Sequence, residues 1–208
     1  MKRALLLSVA AVASLSLVAC DRREAATNEA NPGQSEPVNA AQDAVGAAVG
    51  TVSASTLGAN TTEGFVANAA MSDMYEIRAG QMAQQKGQAA GVKDFGKMMV
   101  TDHTAMMNEM KPLATAAGQT PPTDLDQRRK GMIDNLTAAN GADFDKVYLA
   151  QQEAAHNEAL TLMQGYADNG DNAGLKALAQ KAIPKIKAHL DKVRQLQAAG
   201  GGAAPAAK

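Results

Sequence analysis

The chain has 208 residues, a net charge of −1 and a single cysteine, and only 3% of its residues are aromatic. One cysteine excludes an internal disulfide and any multi-thiolate metal site, and the near-neutral charge gives no electrostatic footprint for nucleic acid. With no tryptophan and three each of Phe and Tyr, a core must be made from Leu, Ile, Val, Ala and Met, which suits closely packed helices.

The N-terminal "MKRALLLSVAAVASLSLVAC" has a basic start at Lys2 and Arg3, then apolar and small residues from Ala4 to Val18. That is too short to span a bilayer and has the flanks of a signal peptide. It ends in Leu17-Val18-Ala19-Cys20, which resembles a lipobox, with the chain's one cysteine at the position that is acylated. Residues 1–19 are therefore expected to be a lipoprotein signal peptide, and Cys20 the lipidated residue, palmitate being one of the acyl groups. The membrane partner is reached through this anchor, and the location is the cell envelope on the periplasmic side. Asp21 resembles an enteric inner-membrane retention signal, and both membranes stay open. Without its leader the chain has 18 basic and 21 acidic residues, a net charge of −3. The mature chain then has no free thiol and no CxxCH for covalent haem.

Residues 20–61 form a tether, poor in large apolar residues and rich in Ala, Asn, Gly, Ser, Thr and Glu. One domain is expected at 62–198, followed by a flexible Gly/Ala tail at 199–208. Within the domain, four segments have steps of three and four between apolar positions. The first, Phe65 to Lys86, places Phe65, Ala69, Ser72, Glu76, Ala79 and Ala83 on one stripe. The second, Val92 to Ala117, aligns Phe95, Met99, His103, Met106 and Met110. The third, Phe144 to Ala167, aligns Leu149, Glu153, His156, Leu160 and Met163. The fourth, Ala173 to Ala198, aligns Leu178, Ala182, Ile186, His189 and Val193, with Pro184 expected to kink or break it.

Short connections, "GQAAG" and "DNGDNAG", make two antiparallel hairpins. Between them lies a long crossover with Pro121-Pro122 and a short helical pattern through Leu125, Arg129, Met132 and Leu136. Its basic run, Arg128 to Lys130, reads as a solvated helix face. The fold class is all-α: a ferritin-like four-helix bundle of two hairpins joined by a long crossover containing a short helix.

The chain's three histidines, His103, His156 and His189, each fall in the apolar stripe of a different helix, and Glu76 and Glu153 lie in stripes too. Glu76 and His103 lie at equal sequence distances from the first turn, roughly 20 Å above it at 1.5 Å per residue. The five groups are thus placed in one mid-bundle layer. Glu153-Ala-Ala-His156 has the Glu-x-x-His spacing of bundle metal sites, but Val100 and Ile186 stand where a di-metal site would need two more carboxylates. The candidate ligands are Glu76, His103, Glu153, His156 and His189 around one transition-metal ion, Fe, Mn, Zn or Cu. Asp102, Met99, Met106 and Met110 are secondary candidates, and thioether beside imidazole favours Cu(I). The competing reading is a metal-free polar core that fixes helix register, with the methionines as pliable filler.

"MYEIRAGQMAQQKG", "VKDFGKMMVTDHTAMM", "FDKVYLAQQEAAHNEAL" and "IPKIKAHLDKV" together resemble a bacterial ferritin-like family of unknown function, whose members are often labelled predicted outer-membrane or secreted proteins. The matching positions include Asp102-His103, Asp145, Tyr148, His156 and Pro184 to His189. The resemblance implies the fold and an envelope location, and supplies no reaction. Three functions follow: an envelope metal binder, a metal-dependent oxidoreductase, or a metal-free structural or stress-related module, as monomer or homodimer. No P-loop, nucleotide fingerprint or GxSxG is present, and no catalytic residue is assigned.

Overall fold

The computed structural model describes Asp43 and residues 60–200. Cys20, the signal peptide, nearly all of the tether and the end of the tail lie outside the described residues. Among residues 60–200 five helices follow in order: α1 (Thr62–Lys86), α2 (Ala90–Ala116), α3 (Gln127–Ala138), α4 (Ala142–Asn169) and α5 (Ala173–Ala198). No strand occurs among the described residues, and none of their helices is long and apolar enough to cross a membrane.

Local chemistry sets the helix starts. The Thr61 side chain accepts from the Gly64 amide at the head of α1, Asp126 from Arg129 at the head of α3, and Asn172 from Leu175 at the head of α5. The head of α2 has no such cap of its own. Asp145 of α4 serves it instead, accepting from the backbone amides of Gln88 and Ala89, both at 2.9 Å. Lys86 closes the other side of this corner by donating to the Leu136 and Thr137 carbonyls at the end of α3.

Pro184 does not break α5, and Pro112 sits within α2. Each proline removes a bond to the carbonyl four residues earlier, at Gln180 and Asn108. All four residues are exposed, which puts these turns on the solvent side of their helices.

Helix α1 packs chiefly on α2, and α4 on α5. The two pairs join through α1 against α4 and α2 against α5, while α3 lies on α1 and α4. The buried side chains form two apolar halves. One contains Phe65, Met110, Tyr166, Leu175 and Ile186; the other contains Tyr75, Phe95, Met99, Tyr148 and Val193. On each long helix the changeover falls at a polar residue. It lies at Asp73 between Ala70 and Tyr75, and at His103 between Met99 and Met110. It lies at His156 between Ala155 and Ala159, and at His189 between Ile186 and Val193. A buried polar layer therefore cuts the core in two.

The α1–α2 turn closes the half containing Val92, and the α4–α5 turn closes the half containing Leu175. The hairpins thus point in opposite directions, and the crossover with α3 runs the length of the bundle. The two arginines of the basic run in α3 do not form a solvated face, while Lys130 is exposed and pairs with exposed Asp124. Arg129 is buried and donates to Glu158 at 2.6 Å and to Asp126, and Arg128 donates to both Glu158 oxygens at 2.8 and 2.9 Å. Burying Glu158 would be costly alone, and the two guanidinium groups compensate it while pinning α3 to α4.

Where α1 crosses α2, a Cβ on Gly96 would lie 2.7 Å from both the Ala83 Cβ and the Gly80 carbonyl oxygen. Backbone cannot yield as a flexible side chain can. Gly96→Ala is expected to cost about 1–3 kcal/mol in thermal or denaturant unfolding by pushing the helices apart.

Candidate metal centre

His103 of α2, His156 of α4 and His189 of α5 meet in the dividing layer. Their ring centroids are 5.8 Å (103–156), 5.6 Å (103–189) and 5.4 Å (156–189) apart. All three are buried, and one nitrogen from each lies within 4.8 Å of the others.

The second nitrogen of each ring is held. His156 Nδ1 lies 2.8 Å from the Gln152 carbonyl oxygen one turn earlier. A carbonyl only accepts, so Nδ1 carries the proton and Nε2 of the neutral ring is left with its lone pair. His189 Nε2 is 2.8 Å from Asp102 Oδ2, and His103 Nδ1 is 2.8 Å from Asp73 Oδ1. With these carboxylates ionised, the ring nitrogens donate, which leaves lone pairs on His189 Nδ1 and His103 Nε2. These three atoms, His103 Nε2, His156 Nε2 and His189 Nδ1, are buried without any hydrogen-bond partner. Three fixed tautomers thus leave three unpartnered nitrogens in one buried layer. Imidazole oriented by a carboxylate or carbonyl on its far side is the usual support of a metal-binding histidine.

The charges agree with these roles at His156 and His189. Burial holds His156 well below the ordinary imidazole value, and positive charge on His103 or His189 would lower it further. Burial also brings His189 down to about 4, against the opposing hydrogen bond to Asp102. Burial lowers His103 too, but the hydrogen bond and charge of Asp73, with Glu76 and Asp102, raise it overall. Burial pushes Asp102 up, yet the hydrogen bonds and charges of Lys185 and His189 bring it below the usual carboxylate value. Burial raises Asp73 despite His103. Of the three histidines, His103 is the one whose hold on a proton is strengthened.

The other expected ligands fall elsewhere. Glu153 points outward, 35% exposed at its side chain, and pairs with Arg194 of α5 at 3.0 Å. Its place three residues before His156 is 60° round the helix, enough to reach the groove edge and not the core. Glu76 is fully buried in the layer but stands behind His156, its Oε1 being 3.7 Å from the outward Nδ1. Its Oε2 is buried without a partner, and burial raises its pKa to about 7. Asp102 lies near the centre as a support of His189, bridged on its other oxygen to Lys185 at 2.7 Å. Met99 belongs to one half of the core, Met110 to the other, and Met106 packs against that second half. The methionine stripe is thus divided by the layer. Asp73 is the functional candidate that stripe reading missed, because the stripe was drawn through its neighbour Ser72. Its available signal was a second acid at helical spacing, Asp73-x-x-Glu76.

Residues 47–196 match the model of a family described as a domain of unknown function, DUF4142. The chain belongs to that family. Among solved structures, this family member is similar to "CopM in the Ag-bound form (by co-crystallization)", at 20% identity and a TM-score of 0.56. The similarity covers 66% of this chain and 96% of that one, and at this identity it speaks for the fold alone. No curated protein matches the chain in sequence.

Proposed function

We propose that this protein is a cell-envelope metal-binding protein that holds one ion on His103 Nε2, His156 Nε2 and His189 Nδ1. The observation that carries the reading is three buried imidazoles in one layer, one nitrogen of each within 4.8 Å of the others, each with one nitrogen held from behind and the other without a partner. Left without a cation, each buried acceptor costs about 1–3 kcal/mol. The metal-free core reading would have to absorb all three such costs.

The donor set and the charge count favour Cu(I). Three neutral imidazoles with no carboxylate among them do not suit the hard-oxygen preference of Mn. Of the two supporting carboxylates, Asp102 already faces Lys185, which leaves Asp73 to balance an added positive charge, while Glu76 with its pKa raised to about 7 stays protonated below that pH. Below pH 7 that count matches a monovalent ion. Zn(II) with an open position for water is the alternative within the same donor set. The structurally similar CopM has an Ag-bound form, and Ag(I) is a suitable redox-inert probe here too.

The remaining parts of the reading come from the sequence and the packing. The lipobox ending at Cys20 supports a lipid anchor, and residues 21–61 a tether. Two oppositely directed hairpins and a crossover along the bundle support a ferritin-like topology, since an up-and-down bundle would pair its second and third long helices instead.

Metal analysis of the purified protein tests the reading, after reconstitution with Fe, Mn, Zn and Cu in turn. One tightly held equivalent of copper is expected, absent from a His103→Leu/His156→Leu/His189→Leu variant. No stoichiometric metal in the wild type would end the proposal. Asp73→Asn, which keeps the ligand set but weakens the support of His103, is expected to lower Cu(I) affinity about 10–100-fold in a chelator competition.

Acid should release the ion. Protons compete for His103 first, so affinity falls by about tenfold per pH unit below its folded pKa, which lies above 6.5. The slope steepens below about 4, where His189 also takes up a proton. Isothermal titration or chelator competition from pH 8 to pH 4 reads both limbs.

A further inference from the structure

A cleft of about 60 Å³ opens between α2 and α5 beside the histidine layer. It has room for a few waters or one partly hydrated ion. Its wall reaches deep into the bundle. It includes Asp73 of α1 and Met163 of α4, both buried, along with Met106 and Met110 of α2. Asp73 and Asp102, the carboxylates that hold His103 and His189, both line it. The cleft therefore leads from solvent to the groups directly behind two of the three rings.

Its mouth is crossed by two ion pairs between α2 and α5. Lys181 meets Glu109 at 2.8 Å, and Lys185 meets Asp102 at 2.7 Å. Both pairs are partly exposed, so each is weak and easily opened. The lining below is mostly apolar, and its soft donors are the three thioethers. Thioethers are poor ligands for hard or divalent cations and good ones for Cu(I) and Ag(I). A wall of leucines would fill the same space without offering any donor.

We propose that the Met106, Met110 and Met163 thioethers lining this cleft form a weaker Cu(I) holding site beside the histidine centre, from which the ion passes to the histidines. The inference rests on the metal-binding reading above and adds a second site with a different donor chemistry. The carboxylates of the mouth attract the cation, and the thioethers replace its waters one at a time. The histidines, pre-set by Asp73 and Asp102, take it last. The ion keeps its oxidation state throughout, so no electron donor or acceptor is needed.

The test compares the full-length wild type with a Met106→Leu/Met110→Leu/Met163→Leu variant. Leucine conserves volume and is well tolerated in place of methionine. Ag(I) is titrated calorimetrically, and transfer of Cu(I) from a chromophoric chelator is followed by stopped flow. The wild type is expected to take one strong and one weak equivalent of Ag(I). The methionine variant should keep the strong equivalent, lose the weak one and load Cu(I) about tenfold more slowly. A wild type with no weak equivalent, or a variant that retains it or loads at the wild-type rate, overturns the proposal. Met106→Leu alone, at a half-buried position, gives the same readout should the triple variant lose helicity. The triple-histidine variant should retain only the weak equivalent. If it keeps the strong one as well, the histidine reading fails, and the outcome at the methionines is judged separately.

Discussion

His156→Leu is expected to lower Cu(I) affinity by well over 100-fold while leaving the metal-free fold within about 1.5 kcal/mol of wild type. The affinity loss should exceed the 10–100-fold typical of a lost supporting group, because a donor atom itself is removed. The stability result separates the two readings of the layer. In a satisfied structural network, His156 would be a keystone, and an apolar replacement would strand its partners. Here its Nε2 has no partner to strand, and its Nδ1 is bonded to a carbonyl of its own helix. Leucine removes a buried acceptor that lacks a donor and fills nearly the same volume. Bound metal should add to wild-type stability by about 4 kcal/mol at a thousandfold excess over the dissociation constant, and not to the variant's. Thermal unfolding with and without Ag(I) checks both halves.

Glu76→Gln is expected to stabilise the metal-free protein by about 3 kcal/mol at pH 8 relative to its effect at pH 4. The carboxyl is buried behind His156, with Oε2 unpartnered, and its pKa rises from 4.5 unfolded to about 7 folded. Below pH 4.5 it is protonated in both states and contributes no pH dependence. Between 4.5 and 7 the unfolded chain releases the proton and the folded one keeps it, so stability falls as pH rises. Above 7 the full penalty of a buried carboxylate is present. Glutamine does not titrate, so the difference between variant and wild type should grow across this window and then level off. A flat difference from pH 4 to pH 8 in urea unfolding would show that Glu76 is not a buried raised acid.

Much of the architecture was readable from spacing. Apolar steps of three and four marked every long helix, and the short pattern through Leu125, Arg129, Met132 and Leu136 marked α3. The meeting of the three histidines was readable for the same reason. Each sat in an apolar stripe, and two hairpins carried them to one level. What failed were relations between helices. Asp102 is one residue from His103, about 100° away on the helix, so spacing made it only a secondary candidate ligand. That displacement is what aims it at His189 on α5. Glu153 had the right spacing to His156, but Arg194, 41 positions later, draws it out of the core. Arg128 and Arg129 looked solvated because their partner Glu158 lies about 30 positions away. Single-helix periodicity places a side chain on a face and cannot say what stands opposite.

The break expected as one outcome at Pro184 does not occur, and α5 runs on from Ala173 to Ala198. A proline is most disruptive where its freed carbonyl is buried, and Gln180, four residues earlier, is an exposed residue.

X-ray absorption of the protein carrying one equivalent of Cu(I) tests the central claim most directly. The three-histidine centre predicts a first shell of about three nitrogens, with the outer-shell scattering of imidazole, and its loss in the His103→Leu/His156→Leu/His189→Leu variant. A first shell dominated by sulfur or oxygen, or a spectrum unchanged in that variant, would contradict it.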